Sequence, residues 1–290
     1  MWRGDAGRLA RLLLILWLGW CGAVVAAPTD PPFPRRIVAL APNLTELLFA
    51  VGAGGQLVAV ADYSDHPPDA RAIPRIGGYD RFDPEAVIAA RPDLVIGWPG
   101  GNPEHLLESL KRFGLTVWLL DPRRLDDIPA ALETLASLTG HKDQGDQQAA
   151  AFRERLERLR SRPRQGEPVR VFYQVWHEPL MTVNGDHLIS DVIRLCGGEN
   201  IFADLPGLAP VIDLEAVLAR DPEAIVASGM DASRPEWLDR WQRWSPLLAV
   251  RRGNLFFVPP DLLQRHTPRI LDGAELLCDQ MAQARQRRGR

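Results

Sequence analysis

The 290-residue sequence predicts an α/β protein made of two similarly built parallel-sheet lobes joined by one long helix. Three observations carry this. Short apolar strands alternate with amphipathic helices through both halves of the chain. A polar, strongly helical segment, 143–163, interrupts the alternation. One helix-then-strand unit occurs twice: "PEAVIAARPDLVIG" (84–97) returns as "LEAVLARDPEAIVA" (214–227), with Glu85, Ala86, Val87, Ala89 and Pro92 matching Glu215, Ala216, Val217, Ala219 and Pro222.

The elements follow in order. "RIVALAP" (36–42) reads as a strand entering a loop, and "NLTELLFAVGAGG" (43–55) as a helix ending in glycines. That glycine cluster follows a helix, so it is a helix C-terminus and not a dinucleotide fingerprint. "LVAVADYS" (57–64) is a strand, "DPEAVIAARP" (83–92) a helix and "DLVIGW" (93–98) a strand. "PEHLLESLKRFG", "LTVWLLD" and "LDDIPAALETLASLTG" continue as helix, strand and helix. Within 143–163, Phe152, Leu156 and Leu159 form one apolar stripe, as a connector docked along one face requires. The second half restarts with "VRVFYQVW" (169–176) as a strand. The expected organisation is a signal peptide over 1–26, a first lobe over 27–142, the connecting helix over 143–163 and a second lobe over 164–290.

The N-terminus is read as a secretory signal. Arg3, Arg8 and Arg11 precede the apolar run Leu12–Ala27, which is shorter than the roughly 20 residues of a membrane span. Lipidation at Cys21 is disfavoured because Trp20 stands where a small residue is needed. Loss of residues 1–26 takes the formal net charge from −3 to −5, which argues against a nucleic-acid partner. Cys196 and Cys278 remain; in an exported chain two cysteines suggest one disulfide, the alternative being two buried thiols.

In open α/β sheets, ligands bind beyond the carboxyl ends of the strands. Those ends carry Asn43, Asp62 with Tyr63, Trp98 with Gly100 and Gly101, and Trp176 with His177. "FFVPPDLLQRHTPR" (256–269) adds Asp261 and Arg265, and Tyr79 lies in the glycine-rich "IGGYDRFD". Apolar walls converging with a few polar groups fit a small-molecule cleft. Gly100 and Gly101 are expected to let backbone approach a flat ligand. No catalytic apparatus is evident. The six histidines have no H-x-x-x-H spacing, and a nucleophile elbow, a phosphate loop and a cysteine metal cluster are all absent from the sequence.

"RIVALAPNLTELLFAVGAG", "YSDHPP", "IGGYDRFDPEAVIAARPDLVIGWPGGN", "CGGENIFAD" and "TPRI" together resemble the periplasmic vitamin B12-binding proteins. These are substrate-binding components of ABC importers, in the class shared with siderophore and haem binders. The resemblance runs from about Arg36 to about Ala282. It implies two Rossmann-like lobes joined by a rigid helix, a flat cobalamin held between them, no enzymatic activity, no cofactor and a monomer in the periplasm. It implies ligand contacts at Asn43, Tyr63, Tyr79, Trp98, Met181, Asp261 and Arg265, and a disulfide between Cys196 and Cys278. It also implies that Glu85 and Glu215, equivalent in the repeat, dock the two lobes on the membrane permease. The plainer reading of these acids is that they favour the dipole of a helix first turn after Asp83 and Asp213. Tyr79, Met181 and Ala209 depart from family aromatics, with Trp176 a candidate replacement wall. A haem or ferric-siderophore binder is the alternative, with Tyr63, Tyr79 or His177 as axial ligand.

Overall fold

The computed structural model describes residues 33–78, 82–164, 166–229 and 232–289. The expected signal peptide with Cys21, and Tyr79, lie outside the described residues.

The first lobe is built on strands β1 (Ile37–Ala39), β2 (Leu57–Val60), β3 (Leu94–Gly97) and β4 (Val117–Leu119). They pair in the order β2-β1-β3-β4, all parallel, with Ile37 opposite both Leu57 and Leu94, and Val95 opposite Val117. β1 and β3 are buried along their whole length, as near-continuous apolar runs require between two helical layers. The crossovers are helices α1 (Pro42–Ala50), α2 (Pro84–Ala89), α3 (Glu104–Arg112) and α4 (Asp127–Thr139). Helix α5 (Lys142–Arg160) follows. Its 19 residues span about 28 Å. Its buried face is Gly145, Ala149, Phe152, Leu156 and Leu159, which contains the expected stripe.

The second lobe repeats the plan with β5 (Val169–Gln174), β8 (Gly198–Asn200), β9 (Ala224–Ala227) and β10 (Leu255–Phe257), in the parallel order β10-β9-β5-β8. Its helices are α6 (Leu188–Leu195), α7 (Leu214–Arg220), α8 (Leu248–Arg251), α9 (Pro260–Leu263) and α10 (Ile270–Gln286). One expectation is corrected here. The strand from Val169 ends at Gln174, and Trp176–His177 form β6, which pairs antiparallel with β7 (Leu180–Met181) in a separate hairpin. The apolar run continues through Trp176, so periodicity alone does not reveal the break.

One apolar cluster joins the inner faces of both sheets. It runs from Ile37, Leu47 and Ile96 through Leu132, Phe152 and Leu156 to Val171, Ile193, Val226 and Leu277. Separate clusters fill the outer face of each lobe, around Val38 and Leu110 in the first and around Phe172, Phe202 and Trp241 in the second. Cys196, at the end of α6, is bonded to Cys278 of α10, which fixes two inner helices of the second lobe to each other.

The repeat noted in the sequence is structural. Asp83 accepts hydrogen bonds from the backbone N–H of Glu85 (2.9 Å) and Ala86 (3.2 Å), and Asp213 accepts from that of Ala216 (2.8 Å). Each carboxylate caps its helix, α2 or α7, and leaves Glu85 or Glu215 exposed in the first turn.

A candidate ligand-binding cleft

The carboxyl ends of both sheets point into one cleft. A recess of about 260 Å³ is lined by Pro42, Asn43, Tyr63 and Trp98 from the first lobe, and by Gly229, Pro260, Asp261, Gln264 and Arg265 from the second. A second recess, about 360 Å³, shares Pro42, Tyr63 and Trp98 and extends over the first lobe to Asp62, Phe82 and Asn102.

Trp98 is half-buried and is fixed on several sides. Its indole N–H donates to Asp121 at 3.0 Å, and the ring meets His266 edge-on with centroids 5.5 Å apart. Gly101 lines the second recess, and both glycines also make room for a neighbouring ring of the protein. A Cβ at either would lie 2.5–2.7 Å from atoms of the Trp98 ring, so these glycines seat the indole itself. Trp98 is thus both a packing residue and a wall of both recesses.

Asn102, missed in the sequence reading, sets the strand ends beneath Trp98. Its amide donates to the Leu40 carbonyl at 2.7 Å and accepts from the Trp98 backbone N–H at 2.7 Å. The side chain thereby ties the end of β3 to the residue after β1. Asn43 lies in the first turn of α1 with both amide atoms buried and without a hydrogen-bond partner in the protein. Buried polar groups are ordinarily satisfied, so this amide stands out at the cleft wall.

Tyr63 is 73% exposed and has a φ of 61°, a left-handed conformation uncommon outside glycine. Neighbours over-determine it. The Ser64 hydroxyl accepts from Thr45 at 3.1 Å, and the Tyr63 carbonyl accepts from the Asp65 backbone (3.0 Å) and from Arg265 (3.1 Å).

Arg265 is the hub of the cleft's charges. It contacts Asp261 at 3.0 Å, Asp65 at 2.7 Å and Glu46 at 2.8 Å. Burial pushes the Asp65 carboxyl up, but the Arg265 hydrogen bond and charge outweigh it and hold it below its usual range. Burial works against the Arg265 charge too, and Glu46 and Asp65 more than offset it.

The other expected ligand residues stand elsewhere. Met181 lies on the hairpin strand β7, opposite Trp176, and lines neither recess. Trp176 lines neither recess, so the wall missing at Ala209 is not replaced by it there. His177 stacks on Trp237 with centroids 5.5 Å apart, outside both recesses, which removes it as an axial ligand there.

Behind Trp98 lies a buried histidine pair. His266 and His187 meet edge-on at 5.4 Å, and the His187 Nδ1 accepts from the Ile189 backbone, capping α6. Burial pushes His266 down to about 4. Burial, reinforced by the charge of His266, pushes His187 down to about 3.

The matched family model is that of the periplasmic binding proteins, over residues 37–262. The vitamin B12-binding protein of Vibrio cholerae serotype O1 is 36% identical over 269 residues, covering 92% of this chain and 97% of its own length. Among solved structures, the periplasmic vitamin B12 binding protein BtuF of Vibrio cholerae superposes with a TM-score of 0.81 at 36% identity, covering 88% of this chain and 100% of its own. A periplasmic heme binding protein from Pseudomonas aeruginosa gives 0.73 at 26% identity, over 86% and 93%.

The histidine pair makes stability pH-dependent. The folded-state values are depressed, so the unfolded chain takes up protons first as pH falls below about 6.5. Stability is therefore lost from about pH 6.5 downward. Each histidine contributes a loss of roughly 2 kcal/mol by pH 5. Urea unfolding at pH 7 and pH 5 measures it, and His266→Gln should flatten the dependence. The apolar walls, the polar side chains of both lobes and the likeness over nearly the whole length agree: the chain belongs to the periplasmic binding proteins, in the vitamin B12-binding protein family.

Proposed function

We propose that this chain captures cobalamin in the periplasm and delivers it to an ABC importer in the inner membrane, performing no chemistry on it and using no cofactor. The observation that carries the reading is the recess shared by Asn43, Tyr63 and Trp98 of one lobe with Asp261 and Arg265 of the other. Aromatic surface faces a flat macrocycle well, and the amide and charged groups suit amide substituents around its edge. Tyr79 and Met181 complete the proposed ligand set, Met181 from the hairpin of the second lobe. The relatives named for vitamin B12 support the same ligand.

The proposed organisation is a cleaved signal over 1–26, lobes over 27–142 and 164–290, and the connector over 143–163, in a monomer. Glu85 and Glu215 are the proposed docking acids. Both are exposed, both occupy the first turn of a helix capped by an aspartate, and neither makes an ion pair among the described residues. A haem ligand has one specific observation in its favour, the heme-binding structural relative. Among the described candidates for axial ligation only Tyr63 lines the recess.

The mature protein should co-elute with cyanocobalamin on gel filtration and carry its visible absorbance; no retained colour at micromolar concentrations contradicts the proposal. Trp98→Ala should weaken cobalamin binding by about 1–3 kcal/mol. Unchanged affinity with lowered stability would return Trp98 to a packing role alone. Alanine at both Glu85 and Glu215 should leave ligand affinity intact and abolish uptake by whole cells, whereas normal uptake would refute docking through these acids.

A further inference from the structure

Glu46 is the most deeply buried carboxylate at the meeting of the lobes, with a side chain only 3% exposed. It lies within α1, surrounded in sequence by apolar residues. A carboxylate so placed is costly unless paired and hydrogen-bonded. Its partners come from the second lobe, more than two hundred residues away. Arg269, at the start of α10, grips both oxygens, with Nη2 to Oε1 at 2.6 Å and Nε to Oε2 at 3.0 Å. Arg265 adds Nη1 to Oε1 at 2.8 Å. The Arg269 contact is the two-pronged geometry in which a guanidinium fixes distance and orientation together.

Glu46 does not line the recess. It faces a separate hollow with Phe49, His66, Pro67, Pro268 and Arg269, behind the cleft wall. Arg265 reaches from that buried anchor to the recess, where it meets Asp65, Asp261 and the Tyr63 carbonyl. Asp65, 45% exposed, holds the same guanidinium nitrogen from the solvent side. Two carboxylates of the first lobe therefore fix one arginine of the second, Glu46 from a side chain 3% exposed and Asp65 from one 45% exposed.

We propose that Glu46 is a positioning residue: by holding Arg265 and Arg269 across the lobe interface it fixes the spacing of the two cleft walls before a ligand arrives and aims Arg265 at the recess. This goes beyond the cobalamin reading and rests on it only for the identity of the ligand.

Two measurements test it. The first needs no ligand. Nitroxides at Glu108→Cys and Gln242→Cys, both exposed and one in each lobe, report the inter-lobe distance. The expected result is one narrow distribution in the parent protein and a broader one in Glu46→Gln. Equal widths overturn the proposal. If Glu46→Gln does not fold, Arg269→Gln replaces it with the same two outcomes. The second is cobalamin titration of Glu46→Gln, Arg265→Gln and the double variant. Glu46→Gln should weaken binding on the order of tenfold alone, and by less than about twofold when Arg265 is already Gln. An equal fall in both backgrounds, or none, would show that Glu46 does not act through Arg265. Failure of the parent protein to bind cobalamin would sink the ligand assignment while the distance measurement still decides the role of Glu46.

Discussion

The carboxylate of Glu46, buried and gripped by Arg265 and Arg269, is the constraint on which the cleft depends. Loss of Glu46 would leave Arg265 with Asp65 and Asp261 on the cleft side and take from Arg269 its two-pronged partner. The arrangement therefore works as a spacer more than as a source of stability. A buried pair gains little over an apolar substitute, but it tolerates only one separation and orientation. Around it stand the groups that need a fixed gap: Tyr63 and Trp98 on one side, Asp261 and the recess-facing part of Arg265 on the other.

Further links act on the same gap. The apolar cluster is continuous from the first sheet, through α5, to the second, so rotating one lobe against the other would open packed surface. Arg155 of α5 pairs with Asp272 and Glu275 of α10 at 2.5 and 3.0 Å. The Asp191 carboxylate of α6 accepts the backbone N–H of Leu125 at 2.9 Å. Trp98 of the first lobe and His266 of the second add their edge contact at 5.5 Å.

The fold was legible because it is written in local periodicity. Buried strands read as apolar runs, Phe152, Leu156 and Leu159 mark the inner face of α5, and the offset repeat brings Asp83 and Asp213 to matching helix caps. The disulfide was legible by arithmetic, since two cysteines in an exported chain allow one pairing, and the resemblance pointed to the same pair. The site was legible as residue types gathered at strand ends, and there the reading was partial. Glu46 appeared only as one acid in an apolar helix, because its partners lie 219 and 223 residues away and periodicity carries no such information. Asn102 was invisible for a similar reason: its role is two hydrogen bonds between strand ends, one of them to a residue 62 positions distant. Gly100 and Gly101 carry a role beyond the expected one, seating a neighbouring ring, since sequence shows that space is made but not all that fills it. Trp237, Trp241 and Trp244 carry no strand-end signal, and they line a further pocket on the second lobe with Arg240, Arg243 and His177.

The most direct test is a crystal structure of the protein with cyanocobalamin. The corrin is expected between the lobes, against Tyr63 and Trp98, with the Glu46 contacts to Arg265 and Arg269 intact. A corrin seated against Trp237, Trp241 and Trp244, or one that displaces Arg265 from Glu46, would contradict that expectation.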